Sequence, residues 1–503
     1  MRQRLTTWLR QHRDSLLIGG LTGLFLFFCA IGVRHEMPWV AYSVLGIIAI
    51  YLLIMHTDRS LYLMALLTPF SIRISEKIPD IATDLSVPAE PFLIILMLLF
   101  LWKVLKNRDY PKAILRHPIT MALYAYIGWL FVTSCFSTMP LVSFKYLLSK
   151  LWFLVPCYFY LAEQIYRDER NAFRFLFCYA IGLGIVVCIT TVKHIQYGAV
   201  EKVAYWIMSP YYNDHTAYGA VLAFFCCLLP GMAADREAGK GRRRLAAVLL
   251  VICLAGLYLS YSRAAWLSLV IAIGVFVLAW FRIRFRLIAI VTVVLTLTVV
   301  FFADDIRYRL NKNDTESSKN LVEHLQSMSN ISSDASNVER INRWTSAIEM
   351  FKKKPLLGWG PGTYQFQYAP FQNPRYKTII TTNAGDGGNA HSEYLGLLAE
   401  TGFTGTLLLI LLIACCSSKG LQLYHRKTES PYRRRCAIAC TVALVSYFAH
   451  GFFNNFLDTD KLAVPVFAAM AIIAALDVRR ENEEGYSYCT FTNFSVCTPL
   501  RER

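Results

Sequence analysis

The chain has 503 residues, of which 55% are hydrophobic and 17% charged, and its formal net charge is +17. Soluble globular chains carry roughly a quarter charged residues, so this composition excludes an ordinary soluble domain. The positive charge lies mostly in short clusters between long apolar runs, which is how membrane proteins encode their orientation. We therefore expect a lipid bilayer around the chain and no nucleic-acid partner.

The apolar runs predict an all-α, polytopic integral membrane protein. About 20 apolar residues suffice for a helix to cross a bilayer. Because two runs are short, we expect 12–14 transmembrane helices. The candidate spans are residues 15–33, 37–55, 60–72, 90–104, 118–136, 141–161, 173–192, 215–233, 244–261, 264–281, 287–303, 394–416, 437–453 and 461–477.

The charges between the spans predict the orientation. With the N-terminus inside, cytoplasmic segments hold 31 Lys and Arg residues and short outside loops hold 7, which places both termini in the cytoplasm. Four regions follow. They are an N-terminal transmembrane bundle of about eleven spans (1–303), a long extracytoplasmic loop expected to be catalytic (304–393), three C-terminal spans (394–480) and a cytoplasmic tail (481–503).

The long loop contains a helical apolar pattern after a polar, Ser- and Asn-rich start. An amphipathic helix is predicted over 337–351, lying near the membrane surface. Its apolar positions are Ile341, Trp344, Ile348 and Phe351. Pro355 and three glycines then predict a tight loop, and a second glycine-rich stretch (385–388) precedes the next span.

Three arginines at the outer face are candidate anion ligands. Arg263 stands between two apolar runs, where an arginine either clamps an anionic head group or snorkels from a helix end. Arg340 and Arg343 lie on the predicted loop helix. They belong either to its solvated polar face or to a phosphate site, and Glu339 could pair with Arg343 four residues on.

Histidines and lysines complete the candidate set. His391, at the foot of a predicted span, is either a proton-transfer group or a helix cap, and His215 and His450 also lie at outer span ends. Lys145 and Lys150 share a predicted span but are five residues apart, so they point in different directions. They could bind lipid phosphate or pair with a buried acid. Zinc-binding and nucleotide-binding signatures are absent, so we expect no metal and no cofactor.

The order of the motifs resembles the O-antigen ligase/polymerase superfamily of bacterial envelope glycan assembly. The resemblance covers roughly residues 205–475. It rests on the Ser-Arg-small motif at 260–265, the Glu-Arg-Ile-Asn-Arg-Trp run at 339–344, the Pro/Gly/Trp loop at 355–362, the Asn-Ala-His-Ser-Glu run at 389–393, the segment 398–405, and His450 followed by Asn454.

The resemblance implies a reaction and roles for the candidates. Such enzymes transfer a glycan from an undecaprenyl-diphosphate carrier to an acceptor hydroxyl at the periplasmic face of the bacterial inner membrane. The acceptor is the lipid A core for ligases and another glycan for polymerases. Arg263 and Arg340 would bind the diphosphate and His391 would be the acid–base residue. Arg343, His215, Lys145 and Lys150 would be further candidates for substrate contact.

Two alternatives to an O-antigen ligase stay open at this point. A polymerase needs the same donor site, and the sequence does not separate it from a ligase. A lipid-linked glycan flippase would suit fourteen spans, but transporters usually show two related halves. Here the long loop divides the chain into eleven spans before it and three after it, which disfavours transport.

Overall fold

The computed structural model describes residues 57–74, 85–198, 200–282, 335–376 and 388–491, together with positions 20 and 23. The predicted spans 15–33, 37–55 and 287–303 lie outside the described residues. The chain divides into two compact units, Met1–Leu63 and Met64–Arg503. All residues of the candidate site belong to the second unit.

The first described elements are short. Helix α1 (Thr57–Leu67) leads into a 3-10 turn (Thr68–Phe70), and strands β1 (Ile72–Arg73) and β2 (Ser86–Val87) pair antiparallel. The predicted span 60–72 is therefore wrong as a continuous helix. Within the described residues the helix ends at Leu67, just before Pro69, and a 3-10 turn and a short strand follow.

The remaining described helices include those that are long enough to span a membrane. Up to the long loop they are α2 (Ala89–Asn107), α3 (Lys112–Leu115), α4 (Pro118–Cys135), α5 (Pro140–Leu154), α6 (Leu161–Arg167), α7 (Asn171–Gln196), α8 (Glu201–Ala204), α9 (His215–Ala233), α10 (Lys240–Leu259) and α11 (Arg263–Trp280). A π-helical turn (Val155–Tyr160) joins α5 to α6, and a 3-10 turn (Arg236–Ala238) precedes α10.

The loop and the C-terminal region add five more helices. They are α12 (Ala335–Lys353), α13 (Tyr364–Gln367), α14 (Glu393–His425), α15 (Pro431–His450) and α16 (Asp460–Phe491), with 3-10 turns at Ala369–Phe371 and Pro374–Tyr376. Six helices in the described residues are long and apolar enough to cross a membrane: α4, α7, α9, α11, α14 and the Asp460–Arg479 part of α16. The predicted all-α, polytopic membrane architecture is confirmed.

Helix α14 is broken near its N-terminal end, and the break holds the loop before it. Gly402 has φ 70° and ψ −173°, so the helix is interrupted there. The backbone of Leu356 occupies the space that a Cβ on Gly402 would need, at 2.2 Å. Trp359 N donates to Ala399 O (3.1 Å) and Gly360 N donates to Glu400 O (2.8 Å). Backbone groups freed by the break are thus satisfied by other backbone groups of the protein.

Helix α12 confirms the predicted loop helix, and the face that it buries is rich in small and polar residues. Its fully buried positions include Asn342, Ser346, Ala347 and Met350, whereas Ile348 keeps 37% of its surface exposed. The apolar period predicted the helix but not which face packs against the protein. The buried Asn342 is satisfied because its Oδ1 accepts a hydrogen bond from Asn373 N (3.2 Å).

Candidate functional site

The N-terminal end of α9 carries the first site residues. Asp214 caps this helix, and its Oδ1 accepts hydrogen bonds from Thr216 N (2.7 Å) and Ala217 N (2.8 Å). Asp and Asn are favoured at this position because a helix start leaves its first amides without partners. His215 is the first helical residue, and the Tyr205 ring packs edge-on against it with centroids 4.5 Å apart.

Arg263 begins α11, immediately after a tight turn. Tyr261 has φ 50°, which allows the chain to reverse between α10 and α11. Helix α11 packs against α9 and α15, and the backbone of Ala264 lies against the imidazole of His450. Arg263 is partly buried at this junction. Its position next to Ala264 places its backbone beside the C-terminal part of the site.

His391 is held in an unusual backbone conformation just before α14. Its φ is 48°, in the left-handed region that non-glycine residues rarely adopt. Asn389 Oδ1 accepts a hydrogen bond from His391 N (3.1 Å), and His391 O accepts one from Trp344 Nε1 (3.2 Å). A residue kept in such a conformation is over-determined by its surroundings, which is common at functional sites.

A buried polar pair lies in the C-terminal region. Asn454 Nδ2 lies 3.1 Å from His450 Nε2, and Asn454 and His450 are 3% and 1% exposed. The side chain of Asn454 also opposes the lowering of the His391 pKa. The sequence placed His450 at a span end and both residues in the C-terminal likeness, and the fold pairs their side chains.

The charge of Arg340 acts on histidines from three different parts of the chain. Its charge acts on the imidazoles of His215, His391 and His450, and the carboxylate of Asp214 acts on the same three rings. Burial, followed by the charges of Arg340 and Arg343, lowers the pKa of His391 to about 4. His391 is therefore neutral near pH 7, which is the protonation state that a general base requires.

Arg343 has a different environment from Arg340. Its Nε donates to Glu339 Oε1 (2.7 Å), one guanidinium nitrogen donates to Asn389 O (3.3 Å), and the guanidinium lies 4.5 Å from the centre of the Tyr368 ring. A Cβ on Gly388 would lie 1.4 Å from that guanidinium, so only glycine leaves room for it. Arg343 thus ties α12 to the segment that carries His391. The predicted substrate contact of Arg343 stays a prediction.

The two candidate lysines of α5 lie in different environments, as their spacing predicts. Lys145 is exposed. Lys150 is 1% exposed, donates to Leu457 O (2.8 Å) and lies 5.0 Å from the centre of the Tyr146 ring. Lys150 also interacts electrostatically with Glu393. It supports the turn that carries Asn454, and substrate contact by either lysine stays a prediction.

Glu393 holds two segments of the site together, a role that the sequence did not predict. Its backbone N donates to Gly451 O (2.8 Å), and its carboxylate accepts from Phe456 N (2.8 Å) and Leu457 N (2.9 Å). The signal was present, because Glu393 belongs to the Asn-Ala-His-Ser-Glu run. Its function could not be read from that run, since its partners are more than fifty residues away.

A cluster of histidines could in principle bind a metal ion. Within the part of the chain that the structure describes, no group of three or more His, Cys, Asp or Glu side chains could hold a metal ion. Metal independence stays a prediction. Among the described residues, the site combines the cationic side chain of Arg340, the carboxylate of Asp214 and three imidazoles, those of His215, His391 and His450.

The fold and the site define a multi-pass membrane protein with a cationic, histidine-bearing site. The sequence model of a family described as O-antigen ligase matches residues 248–410. This match supports membership of the O-antigen ligase superfamily and confirms the resemblance seen in the motifs. No curated protein matches the sequence. The matched region includes Arg263, Arg340 and His391, whereas His215, His450 and Asn454 lie outside it.

Proposed function

We propose that this protein is an O-antigen ligase-like glycosyltransferase of the bacterial inner membrane. It moves a glycan from undecaprenyl diphosphate to an acceptor hydroxyl, that of the lipid A core, at the periplasmic face. The family match supports this class of reaction. The observation that carries the proposal is the joint placement of Arg340 and a neutral His391, because glycan transfer from a diphosphate needs both a cation and a base.

The donor diphosphate is assigned to Arg340 and Arg263. Arg340 lies on α12 and Arg263 begins α11. The charge of Arg340 acts on His450, and the backbone of Ala264, next to Arg263, lies against the same imidazole. A guanidinium presents two parallel N–H groups to phosphate oxygens. Positive charge held in place before the reaction stabilises the charge that develops on the leaving diphosphate.

The transfer reaction needs one base, which accepts one proton. His391 accepts the proton of the acceptor hydroxyl while the hydroxyl oxygen forms the new bond to the sugar C1. The bond between C1 and the phosphate oxygen breaks, and its electron pair leaves with undecaprenyl diphosphate. The leaving group is a stable anion and needs charge stabilisation more than protonation. The activated donor supplies the free energy, so the reaction needs neither a nucleotide nor a metal.

A purified enzyme assay tests the proposal. The full-length protein is incubated with the lipid-linked glycan and the lipid acceptor extracted from its own host, with and without a chelator. We expect transfer that the chelator does not change. We also expect a loss of about 10²–10⁴-fold in turnover for His391→Ala, the range for a general base. Near-normal turnover by His391→Ala, or inhibition of the wild type by the chelator, would contradict the proposal.

The glycan profile of a deletion strain separates ligase from polymerase and from flippase. Loss of a ligase leaves long glycans on the carrier lipid, whereas loss of a polymerase leaves single repeats on the lipid A core. A flippase deletion traps the lipid-linked glycan on the cytoplasmic side. We expect long carrier-linked chains that remain accessible from the periplasm.

A further inference from the structure

We propose that a basic cleft between the ends of α11, α14 and α15 binds the head-group phosphate of an anionic phospholipid. This cleft is separate from the candidate functional site, because Arg263, His391 and His450 lie at or next to the opposite ends of the same three helices. The charge distribution predicts that the cleft end of the helices is cytoplasmic.

The cleft has a volume of about 320 Å³ and lies where α11 and α14 end and α15 begins. Its lining residues are Ala279, Trp280, Arg282, Tyr424, His425 and Arg434. Two of these residues are arginines and none is an acid. A phosphate in the cleft therefore meets positive charge without a competing carboxylate.

Arg434 differs from the arginines on either side of it in the sequence. Arg433 Nε lies 2.5 Å from Glu169 Oε2, and Arg435 Nη2 lies 3.0 Å from Asp235 Oδ1. Within the part of the chain that the structure describes, Arg434 forms no ion pair with a carboxylate. The protein thus neutralises the two neighbours and leaves the charge of Arg434 in the cleft.

Contacts with α14 fix the guanidinium of Arg434 and leave its terminal nitrogens available. Its Nε donates to Tyr424 O (2.8 Å), and the group lies 5.6 Å from the centre of the Tyr424 ring. Neither terminal nitrogen hydrogen-bonds any residue of the described ranges. A guanidinium held in this way can donate two parallel N–H groups to phosphate oxygens.

Arg282 supplies a second cation from the end of α11. Its φ is 56°, so the chain turns immediately after the helix. The side chain is exposed, and no carboxylate among the described residues forms an ion pair with it. His425 adds an imidazole, whose neutral form donates one N–H. The cleft therefore combines donors from three helices that are distant in the sequence.

The surroundings of the cleft favour a phospholipid over a free phosphate. Val270, Ile273, Val277 and Trp280 recur at helical spacing on α11 and are 64%, 51%, 42% and 65% exposed. They form an apolar stripe of the kind that faces lipid, and Trp280 both ends this stripe and lines the cleft. An acyl chain on the stripe places its head group at the arginines. Basic pockets between membrane helices bind acidic lipid head groups in this manner.

A lipid bound here would connect three helices that also carry the candidate functional site. Ala279, Leu421 and Ile438 already pack together beside the cleft, one from each helix. A phosphate between Arg282 and Arg434 adds an ionic link and offsets the repulsion of the two like charges. We therefore expect bound lipid to raise the Tm, since a ligand that binds the folded state stabilises it.

The test is thermal unfolding of the delipidated, full-length protein in a nonionic detergent. Phosphatidylglycerol, phosphatidylcholine and inorganic phosphate are titrated separately, and native mass spectrometry counts the lipids that stay bound. The variants are Arg282→Gln and Arg434→Gln. The matched control is Arg244→Gln, because Arg244 is an exposed arginine near the start of α10, also at the predicted cytoplasmic end but outside the cleft.

We expect phosphatidylglycerol to raise the Tm of the wild type and of Arg244→Gln, and phosphatidylcholine and inorganic phosphate to leave it unchanged. Each cleft variant should need about tenfold more phosphatidylglycerol for the same shift, which is the usual value of a hydrogen bond to a charged group. High salt should weaken the wild-type response. Arg282→Gln decides the test if Arg434→Gln, which also loses its bond to Tyr424 O, fails to accumulate.

Three results would overturn the proposal. Equal shifts with phosphatidylcholine and phosphatidylglycerol would show that no charged head group is selected. A shift with inorganic phosphate alone would show a free-anion site instead of a lipid site. A wild-type response in Arg282→Gln, or an equal loss in Arg244→Gln, would show that the lipid does not bind in this cleft. None of these readouts depends on glycan transfer, so the proposed function is tested separately.

Discussion

At His391, burial and two arginine charges act in the same direction on one imidazole. They lower its pKa to about 4, whereas an unperturbed histidine has a pKa of about 6.5. The base therefore stays neutral in mildly acidic solution. We expect kcat/KM, which reports on the free enzyme, to stay level from neutral pH to about pH 5 and to fall as the pH approaches the His391 pKa of about 4. A pH series with purified protein measures this.

With the donor bound, we expect the acid limb of the pH–rate profile to lie at a different pH from that of the free enzyme. A bound diphosphate brings negative charge to the arginines and opposes their effect on His391, so the pKa of the imidazole rises. The limb of kcat, which reports on the complex, should then lie at higher pH than the limb of kcat/KM. Identical limbs would mean that the diphosphate does not bind near Arg340 and Arg343.

Arg340 and Arg343 should fail in different ways when they are replaced. Arg340→Ala is expected to abolish transfer while the protein accumulates normally, and Arg340→Lys should rescue poorly because lysine lacks the planar fork. Arg263→Ala and Arg263→Lys should behave in the same way. Transfer assays and membrane levels of each variant measure this. Normal transfer by Arg340→Ala would show that Arg340 is not the diphosphate ligand.

Arg343→Ala should instead lower stability. It leaves the carboxylate of Glu339, 4% exposed, without its 2.7 Å partner. Breaking one side of a buried ion pair costs about 3–5 kcal/mol. Thermal unfolding of the detergent-purified protein should show a lower Tm. The double variant Arg343→Met/Glu339→Gln should recover much of that loss, and a Tm unchanged by Arg343→Ala would contradict a structural role.

At the scale of elements, the break in α14 decides where the loop can dock. Gly402→Ala places a methyl group 2.2 Å from Leu356 O at a residue whose φ is 70°. Either the helix or the loop must shift, so we expect poor accumulation or a much lower Tm. The matched control is Gly128→Ala in α4, where no atom lies within 4 Å of the added Cβ and the helix stays intact. Equal stability of the two variants would show that the loop is not held at this break.

The loop helix shows where sequence patterns reach their limit. Its existence and bounds were close to prediction, 337–351 against Ala335–Lys353, because a helical period persists over several turns. Its packing face was not predicted. Periodicity ranks faces by apolar content, whereas the buried Asn342 is satisfied by Asn373 N, which belongs to a later segment of the loop.

At the scale of the whole molecule, orientation is the property that the charge distribution predicts. Short cytoplasmic segments are predicted to hold 31 Lys and Arg residues and short outside loops 7, and positive charge is retained inside. A membrane-impermeant thiol reagent applied from outside should label a cysteine placed at residue 330 and spare one placed at residue 240. A background without accessible native cysteines is the control. The reverse pattern would invert the proposed location of the site.

The sequence by itself determined the class of the protein, the order of its motifs and the arginine and histidine candidates. These properties depend on local composition and spacing, which the linear chain contains. Only the tertiary structure decided which candidates meet. It brought Arg340 near enough to act electrostatically on three histidines, gave Arg343 and Lys150 protein partners, and paired Asn454 with His450. Such contacts join residues up to several hundred positions apart, and no local pattern encodes the packing that brings them together.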